Sequence, residues 1–488
     1  MIIDWVRAYN VERELAEILA KQEQHGWFFN TQEAYRLVGW LRDEEARLTD
    51  SILPHLPNTI QNQGTYKKIF NKDGSYAHYI SSWLGSLNYD NDIPNAVRIS
   101  SSNGIIGGMF TRISIHPPNL ASQDQLKKAL EYLGWEPDTW NYKKDTKTKK
   151  HLRSDSGELI PTSPKITESS LDSINAKDGW GKDLIQLLKV QARLKFFGGD
   201  EEEKGLLQHV RSDNSVPSET IQCGTNTGRA QHIKVANVPR IGSFLGEETR
   251  SLFIARPDTI LVGTDYSQLE SRIMAHAISL YTRYKYGKED TRFTELILSV
   301  DDLHTYLWDD IRDLVSSRSL VKNINYAFPY GAQASKLGSL CDIKPQGMSN
   351  TKAGERILEV MRDKFPGLVE TRDATMEQAK CGFLPGLDGR KIYVRSPHSA
   401  FNAKIQGWGS EVVKMGIILN NREKIKRDLP QQQTSWVHDE WTSEVREDYV
   451  EESKYVAEQA VRDSGTFYSL SCQMEGTAKS GPSWKDIH

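Results

Sequence analysis

Apolar residues recur at helical spacing between residues 10 and 50, where Leu15, Ile18 and Leu19 fall on one face. The pattern restarts after Asn30 and Thr31, residue types that cap helix N-termini, in "FFNTQEAYRLVGWLRDEEARL". Over residues 56–118 the periodicity gives way to Asn, Ser and Gly, as in "SSNGIIGG", which predicts turns and short strands. "NLASQDQLKKALEYLGW" is amphipathic again and capped near Ser122, and another helix is expected over residues 176–197. Beyond residue 200 short strands alternate with helices. "TILVG" (259–263) predicts a buried strand turning helical after Ser267, and "GLDGRK" (386–391) a Gly-rich turn between strands. "TSWVHDEWTSEV" (434–445) is strand-like on both sides of His438, Asp439 and Glu440, so it reads as a hairpin with a charged tip.

At 488 residues the chain is too long for one compact core and predicts two or three subdomains. Its 38% apolar and 26% charged residues are the balance of a globular protein rather than a disordered one. A net charge of -3 gives no overall attraction to nucleic acid, so any basic surface has to be local. The basic run "NYKKDTKTKKHLR" (141–153) suits a solvated loop and phosphate contact equally well. Cys223, Cys341, Cys381 and Cys472 lack metal-ligand spacing and fit a reducing compartment. No apolar run approaches the length that spans a bilayer, and "MIIDWVRAYN" is no signal peptide, so a cytoplasmic protein without a membrane partner is expected.

Asp265 falls at the carboxyl end of the "TILVG" strand, a place where side chains converge on ligands. If that strand lies beside the 434–445 hairpin, Asp265 and Asp439 face each other. Two buried carboxylates repel, and one takes up a proton unless cations sit between them. Hard oxygen ligands select Mg²⁺, and two ions ~4 Å apart form the clamp for in-line displacement at phosphorus. Two unrelated acids at strand ends would give the same spacing. Support for the clamp comes from "SSRSLVKNINYAFPYGAQASKLG", where Arg318, Lys322, Tyr326 and Tyr330 recur every fourth residue as one stripe along a helix. A solvated face accounts for the cations but not for two tyrosines. A nucleotide accounts for both, with Arg318 and Lys322 on a triphosphate and Tyr326 on the sugar or base. Pro329 predicts a kink or a helix end near Tyr330.

These segments carry a resemblance. "DYSQLESR" (265–272) resembles motif A of the family A DNA polymerases, the stripe from Arg318 to Tyr330 followed by Gly331 resembles motif B, and "VHDE" (437–440) motif C. "TGRAQH", with Asn237-Val238-Pro239 following, is similar to the segment by which that family contacts primer and template. "GLDGRKIYVRSPHSAFN", the "LAKQEQHGWFFNT" opening and the "EGTAKSGPSWKDIH" ending are similar to the T-seven-like phage replicative polymerases. The likeness runs from about Tyr9 to His488 and is weakest over 56–117. It implies an α+β right-hand fold. Residues 206–300 and 381–488 would form an antiparallel-sheet palm and 301–380 helical fingers. A helical thumb over 31–205 would carry an insertion at about 56–117, and residues 1–30 would be the remnant of an exonuclease domain and the entry to the palm.

The resemblance implies a DNA-directed DNA polymerase that adds deoxynucleotides to a primer 3′-hydroxyl in phage genome replication, using two Mg²⁺ ions, with Mn²⁺ able to substitute. It implies that Asp265, Asp439 and the Tyr266 carbonyl hold metal, with Glu440 as acidic support. Arg318, Lys322 and His304 would bind phosphate oxygens, Lys322 also serving catalysis, and Tyr326, Tyr330, Gln268 and Glu270 would complete the nucleotide pocket. Glu270, paired with Tyr330, is the expected barrier to a ribose 2′-hydroxyl, and the Tyr326 hydroxyl is expected to ease the use of dideoxynucleotides. Expected DNA contacts are Thr227, Arg229, Asn237, Asn402, Gln406 and His438, with Lys143, Lys144, Lys149 and Lys150 on duplex phosphates.

Two departures from the family add expectations. "RAYNVERELAEIL" resembles only the last helix of the 3′–5′ exonuclease domain, with Arg13 in the place of a metal-binding aspartate. No proofreading is therefore expected from this chain, and a separate exonuclease subunit fits as a partner. The 56–117 tract takes the place of the loop that recruits host thioredoxin in the phage relatives. Its different composition leaves a site for a thioredoxin-like processivity factor and a plain insertion as alternatives. Primer–template DNA, dNTPs and a replicative helicase–primase complete the expected partners. A single-subunit RNA polymerase shares the paired aspartates and the Arg/Lys/Tyr helix, but Glu270 within "DYSQLESR" argues against it. A non-catalytic template-binding subunit has no use for convergent carboxylates.

Overall fold

A computed structural model describes residues 5–66, 69–86, 98–101, 104–107, 110–145, 152, 154, 158–177, 179–198, 205–299, 303–329 and 331–487. The chain divides into two compact units, residues 1–36 with 200–488, and residues 37–199. Helix α1 (Trp5–His25) buries Val11, Leu15, Ile18 and Leu19 along one side. The helix expected over 10–50 is broken after it. Gly26 takes φ +63°, where an added Cβ would lie 2.7 Å from the Val216 carbonyl oxygen. Trp27–Phe29 then forms strand β1, antiparallel to Phe253–Ile254 and Ser215–Val216. Aromatic packing decides this break: Trp27 stacks on Trp484 at 4.9 Å and meets Phe253 edge-on at 5.6 Å. Helix resumes as α2 (Thr31–Ile52), capped by Asn30, whose Oδ1 accepts from the Glu33 N–H at 3.1 Å.

In the smaller unit, strands β2 (Thr59–Tyr66) and β3 (Phe110–His116) pair antiparallel with a bulge between Asn62 and Gly64. The 56–118 tract thus holds longer strands than its composition predicts, and also a helix at His78–Ser86. That helix contributes Ile80 to a small buried cluster with Ile69, Phe70 and Ala77. Helix α3 (Gln123–Tyr132) begins at Ser122, whose hydroxyl accepts from Gln125 N–H at 3.5 Å. Strands β4 (Thr139–Tyr142) and β5 (Pro161–Lys165) pair on either side of the basic run. Lys143 and Lys144 are exposed there, and Lys149 and Lys150 lie outside the described residues. Helix α4 (Trp180–Phe197) buries Leu184, Leu187 and Val190 and starts later than residue 176. Ala176 is held in the preceding turn, its carbonyl accepting from Gly181 N–H at 3.0 Å.

The larger unit is organised around β6 (Thr259–Tyr266), followed by α5 (Leu269–Tyr286), α6 (Leu303–Ile311) and α7 (Arg318–Ala327). Strands β7 (Phe383–Pro385) and β8 (Lys391–Tyr393) flank the "GLDGRK" turn. After them come α8 (Ala400–Lys426), β9 (Gln431–Val437), β10 (Glu440–Arg446), α9 (Val450–Phe467) and β11 (Gly476–Gly481). The main sheet has the order β9-β10-β6-β11 and is antiparallel throughout. Leu261 to Thr264 are all buried, which is why β6 reads as a continuous apolar run and not as an alternation. Helix α9 packs on β6 and on α8, whose circumference is buried along most of its length. Helix α7 stops at Ala327, before the buried Pro329, because a proline has no N–H to continue the ladder. Three of the four stripe residues therefore lie on α7, and Tyr330 lies outside the described residues. Among the described residues no helix is long and apolar enough to cross a membrane.

Candidate active site

The β9–β10 hairpin closes through two residues, His438 and Asp439, with Val437 directly opposite Glu440. His438 adopts φ +58°, a left-handed conformation that its neighbours must hold in place. Trp436 does so by donating from its indole N–H to the His438 carbonyl at 2.9 Å. Beside the turn, Tyr266 N–H donates to the Asp439 carbonyl at 3.2 Å, and Asp265 pairs with Glu440 across the ladder. The two aspartates of the sequence pattern thus share one corner of the sheet. Asp265 keeps an opening to solvent while protein closes over the rest of its surroundings. That desolvation, then the like charge of Asp439, pushes its pKa up to about 6 against the pull of Lys479.

Glu440 is not the solvated tip that a charged hairpin suggests. The turn ends one residue earlier, and Glu440 is already in the ladder and buried. Burial, then the Asp265 carboxylate, pushes its pKa up to about 8, with the Arg250 guanidinium opposing. Arg250 is itself fixed, donating from Nε to the Pro239 carbonyl at 2.8 Å and lying 4.6 Å from the centroid of the Trp484 ring.

At the other end of the β6–α5 connection, Gln268 takes φ +54° and α5 begins. Arg272, one turn in, donates to the Ser267 carbonyl (3.0 Å), the Gln473 carbonyl (2.5 Å) and the Glu475 carboxylate (2.9 Å). It clamps the connection to the loop before β11. Tyr266 is buried, its hydroxyl 2.9 Å from Ser464 Oγ and donating to the Val412 carbonyl at 3.3 Å. A Cβ on Gly416 would come within 2.2 Å of that hydroxyl. Gly416→Ala is therefore expected to destabilise the protein by about 1–3 kcal/mol through overpacking, read as a lower denaturant midpoint. It is also expected to lower activity, since Tyr266 adjoins Asp265.

A cleft of about 630 Å³ opens at this corner. Asp439, His438, Gln268, Glu270 and Arg229 line one side, and Arg318, Tyr326 and His304 the other. His304 Nδ1 lies 2.9 Å from Asn325 Nδ2, and its ring 5.9 Å from that of Tyr326. Burial raises the Glu270 pKa, with Arg229 opposing and Asp439 reinforcing the shift. Burial, then Arg229, lowers that of His438. Gln406 shares a smaller recess with Arg229, Glu270 and His438.

Not every expected residue reaches the cleft. Lys322 is exposed, with Nζ 5.9 Å from the centroid of the Tyr326 ring, and is not part of the cleft lining. Thr227 is buried, its hydroxyl 2.9 Å from that of Thr225; Asn237 is exposed at φ +56°; Asn402 is half-buried on α8. Arg240 and Asn325 line the cleft without having been singled out from the sequence. Arg240 directly follows the Asn237-Val238-Pro239 segment, and Asn325 directly precedes Tyr326, so adjacency was the available signal. Arg272 closes the "DYSQLESR" segment, but nothing in its spacing shows what it clamps.

With this geometry in view, likeness to known proteins becomes specific. The family model described as DNA polymerase family A matches residues 109–486. The chain is 25% identical over 529 residues to the DNA-directed DNA polymerases of Enterobacteria phage T3 and Escherichia phage T7, covering 99% of this chain and 70% of each relative. Its fold is similar to that of the POL domain of Pol1 from M. smegmatis, solved in complex with DNA primer–template and dNTP. The TM-score is 0.59 at 20% identity, over 98% of this chain and 70% of that one.

Proposed function

We propose that this chain, which belongs to DNA polymerase family A and is a DNA-directed DNA polymerase, extends a primer at the corner where β6 meets the β9–β10 turn. The observation that carries this reading is the bond from Tyr266 N–H to the Asp439 carbonyl. It holds the Asp439 turn against the strand that carries Asp265, and Asp439 lines the same cleft as Arg318, His304 and Tyr326.

Family A polymerases are in general dependent on a divalent metal, and the donors here suit one. Asp265 and Asp439 are hard oxygen ligands whose mutual repulsion a cation relieves. Among the described residues no group of three or more His, Cys, Asp or Glu is arranged to hold a metal. The remaining ligands would then be the Tyr266 carbonyl, water and substrate phosphate, which Mg²⁺ accepts. Two bound Mg²⁺ ions, or Mn²⁺ in their place, would lower the pKa of the primer 3′-hydroxyl and neutralise charge on the phosphates. Glu440, buried behind the pair, sets the local charge without facing the substrate. Arg318 and His304 receive the triphosphate oxygens, and Lys322 swings in from its exposed position, one turn before Tyr326, when the helix closes on a nucleotide. Tyr326 stacks on the incoming sugar or base.

In this reading residues 206–300 and 381–488 act as palm, 301–380 as mobile fingers, 31–205 as thumb and 1–30 as the entry to the palm. Arg229, Gln406 and His438 meet the primer terminus, with Thr227, Asn237 and Asn402 supporting that surface. The partners are primer–template DNA and dNTPs, with a separate 3′–5′ exonuclease, a processivity factor and a helicase–primase as fitting companions. Extension of a labelled primer in the presence of Mg²⁺, with each nucleotide class in turn, tests the reading. Template-directed incorporation of dNTPs supports it, and failure to extend, or equal use of ribonucleotides, sinks it. Tyr326 gives a finer test, because in this reading its hydroxyl would stand in for a missing 3′-hydroxyl. Tyr326→Phe is expected to raise discrimination against dideoxynucleotides about tenfold or more, the worth of one hydrogen bond to a charged group. Unchanged use of dideoxynucleotides in primer extension would remove that role.

A further inference from the structure

Five ionisable side chains cluster away from the cleft, four of them buried and the fifth, Glu12, half-buried. They are Arg390 and Asp388 of the "GLDGRK" turn, Glu411 and Lys414 of α8, and Glu12 of α1. The Arg390 guanidinium forks onto Asp388, with Nε at 3.0 and 2.9 Å and Nη2 at 2.5 Å. Its Nη1 is 2.5 Å from Glu12 Oε1, which Lys414 Nζ also reaches at 2.5 Å. Glu411 fixes the turn that presents Asp388, its Oε2 accepting from Leu387 N–H (2.5 Å) and Asp388 N–H (3.1 Å). Removing one partner from such a cluster is costly, because it leaves a buried charge unpaired.

The free edge of this network abuts the Thr227-Gly228-Arg229 segment. Gly228 has φ +76°, and a Cβ there would lie 3.3 Å from Arg390 Nη1. Cys223 Sγ, on the same loop between the paired strands Thr220–Ile221 and Gln231–His232, accepts from Lys414 Nζ at 3.4 Å and Arg390 Nη1 at 3.7 Å. Two further ties fasten the segment to the same elements: Ser410 Oγ donates to the Gly228 carbonyl at 2.9 Å, and Asn226 Nδ2 to the Tyr393 carbonyl at 2.9 Å. The residue that follows Gly228 is Arg229, on the wall of the cleft beside Glu270 and His438.

We infer that Arg390 is a positioning residue for primer–template binding, acting through Gly228 to aim Arg229 into the cleft. The inference rests on the proposed contact of Arg229 with DNA. Arg390 touches no reacting atom; it is the rigid backing against which the loop is set, and a lysine cannot reproduce its fork onto Asp388 and Glu12 together. Displacing a binding group by a fraction of an ångström weakens what it binds without altering the chemistry at the metal corner.

The test compares Arg390→Lys, Arg229→Ala and the double variant in the full chain. Initial rates are measured over a series of primer–template concentrations at saturating dNTP, with active enzyme counted by burst amplitude. Arg390→Lys is expected to raise KM for primer–template about tenfold while kcat per active molecule and KM for dNTP stay within about twofold, as expected of misplacement remote from the chemistry. Arg229→Ala is expected to raise the same KM, and Arg390→Lys to add nothing further in that background, because both act through one contact. Effects that multiply in the double variant, or a fall in kcat with KM unchanged, overturn the positioning role while leaving the Arg229 contact standing. A neutral Arg229→Ala overturns the DNA contact and the inference with it. Should Arg390→Lys not fold, Glu12→Gln loosens the same guanidinium from the side of α1, and the same pattern of non-additivity with Arg229→Ala decides.

Discussion

Asp439→Asn is expected to lower kcat for primer extension by about 10³-fold or more, the scale on which removal of one preorganised charge-stabilising group acts. The substitution keeps the shape of the two-residue turn, its backbone bond to Tyr266 and the pinning of His438 by Trp436. It removes one of two like charges, so the variant should be at least as stable as the parent near neutral pH, and the Asp265 pKa should move back down toward the ordinary carboxylate range. Affinity for primer–template, measured by a gel shift or anisotropy, should stay within a few-fold. Single-turnover extension within tenfold of the parent would mean that Asp439 is no metal ligand, and the proposed clamp would have to be abandoned.

The second large effect concerns the sugar. Glu270 stands in the first turn of α5 on the cleft wall, half-buried, with Arg229 and Asp439 as its electrostatic neighbours. In the proposed reading its side chain takes the space that a ribose 2′-hydroxyl would need, and it is anchored by a helix rather than a loop. Glu270→Ala is expected to reduce discrimination against ribonucleotides by about 10²-fold, the range over which a pocket tells a substrate from one bearing an extra hydroxyl. The use of dNTPs should fall much less. Competition between dNTP and rNTP for one templated position gives the ratio directly. A variant that still rejects ribonucleotides as the parent does would assign the barrier to another residue of the cleft.

Local pattern made several elements legible. The apolar run of β6, the change to helix after Ser267, the caps at Asn30 and Ser122 and the turn between β7 and β8 follow from rules that act over a few residues. The meeting of Asp265 with Asp439 was legible only because each lies at a strand end, which leaves few ways for the strands to be neighbours. What stayed hidden depends on partners far away in the chain. The strand at Trp27–Phe29 exists because Trp484 and Phe253 receive its aromatic side chains, and nothing near residue 27 says so. The burial of Glu440 follows from a turn one residue shorter than the run of charges suggests. Glu12 reads as one more solvated helix residue until Arg390 and Lys414 arrive beside it. Lys322 shows the opposite limit, since spacing places it on the right helix but cannot tell which conformation of that helix faces the cleft.

The order of strands in the main sheet has a consequence for how activity is born during synthesis. Strand β6 carries Asp265, yet both of its neighbours, β10 and β11, are made much later, β11 only from residue 476 onward. Arg272 likewise has to wait for Gln473 and Glu475. Contacts so distant in sequence form slowly and late, after shorter-range helices have already condensed. A chain stopped before residue 473 therefore holds an aspartate on a strand with one edge unpaired and no clamp on the connection behind it. The nascent protein should stay catalytically silent until β11 emerges, so a copy stalled or truncated before that strand is not expected to extend DNA.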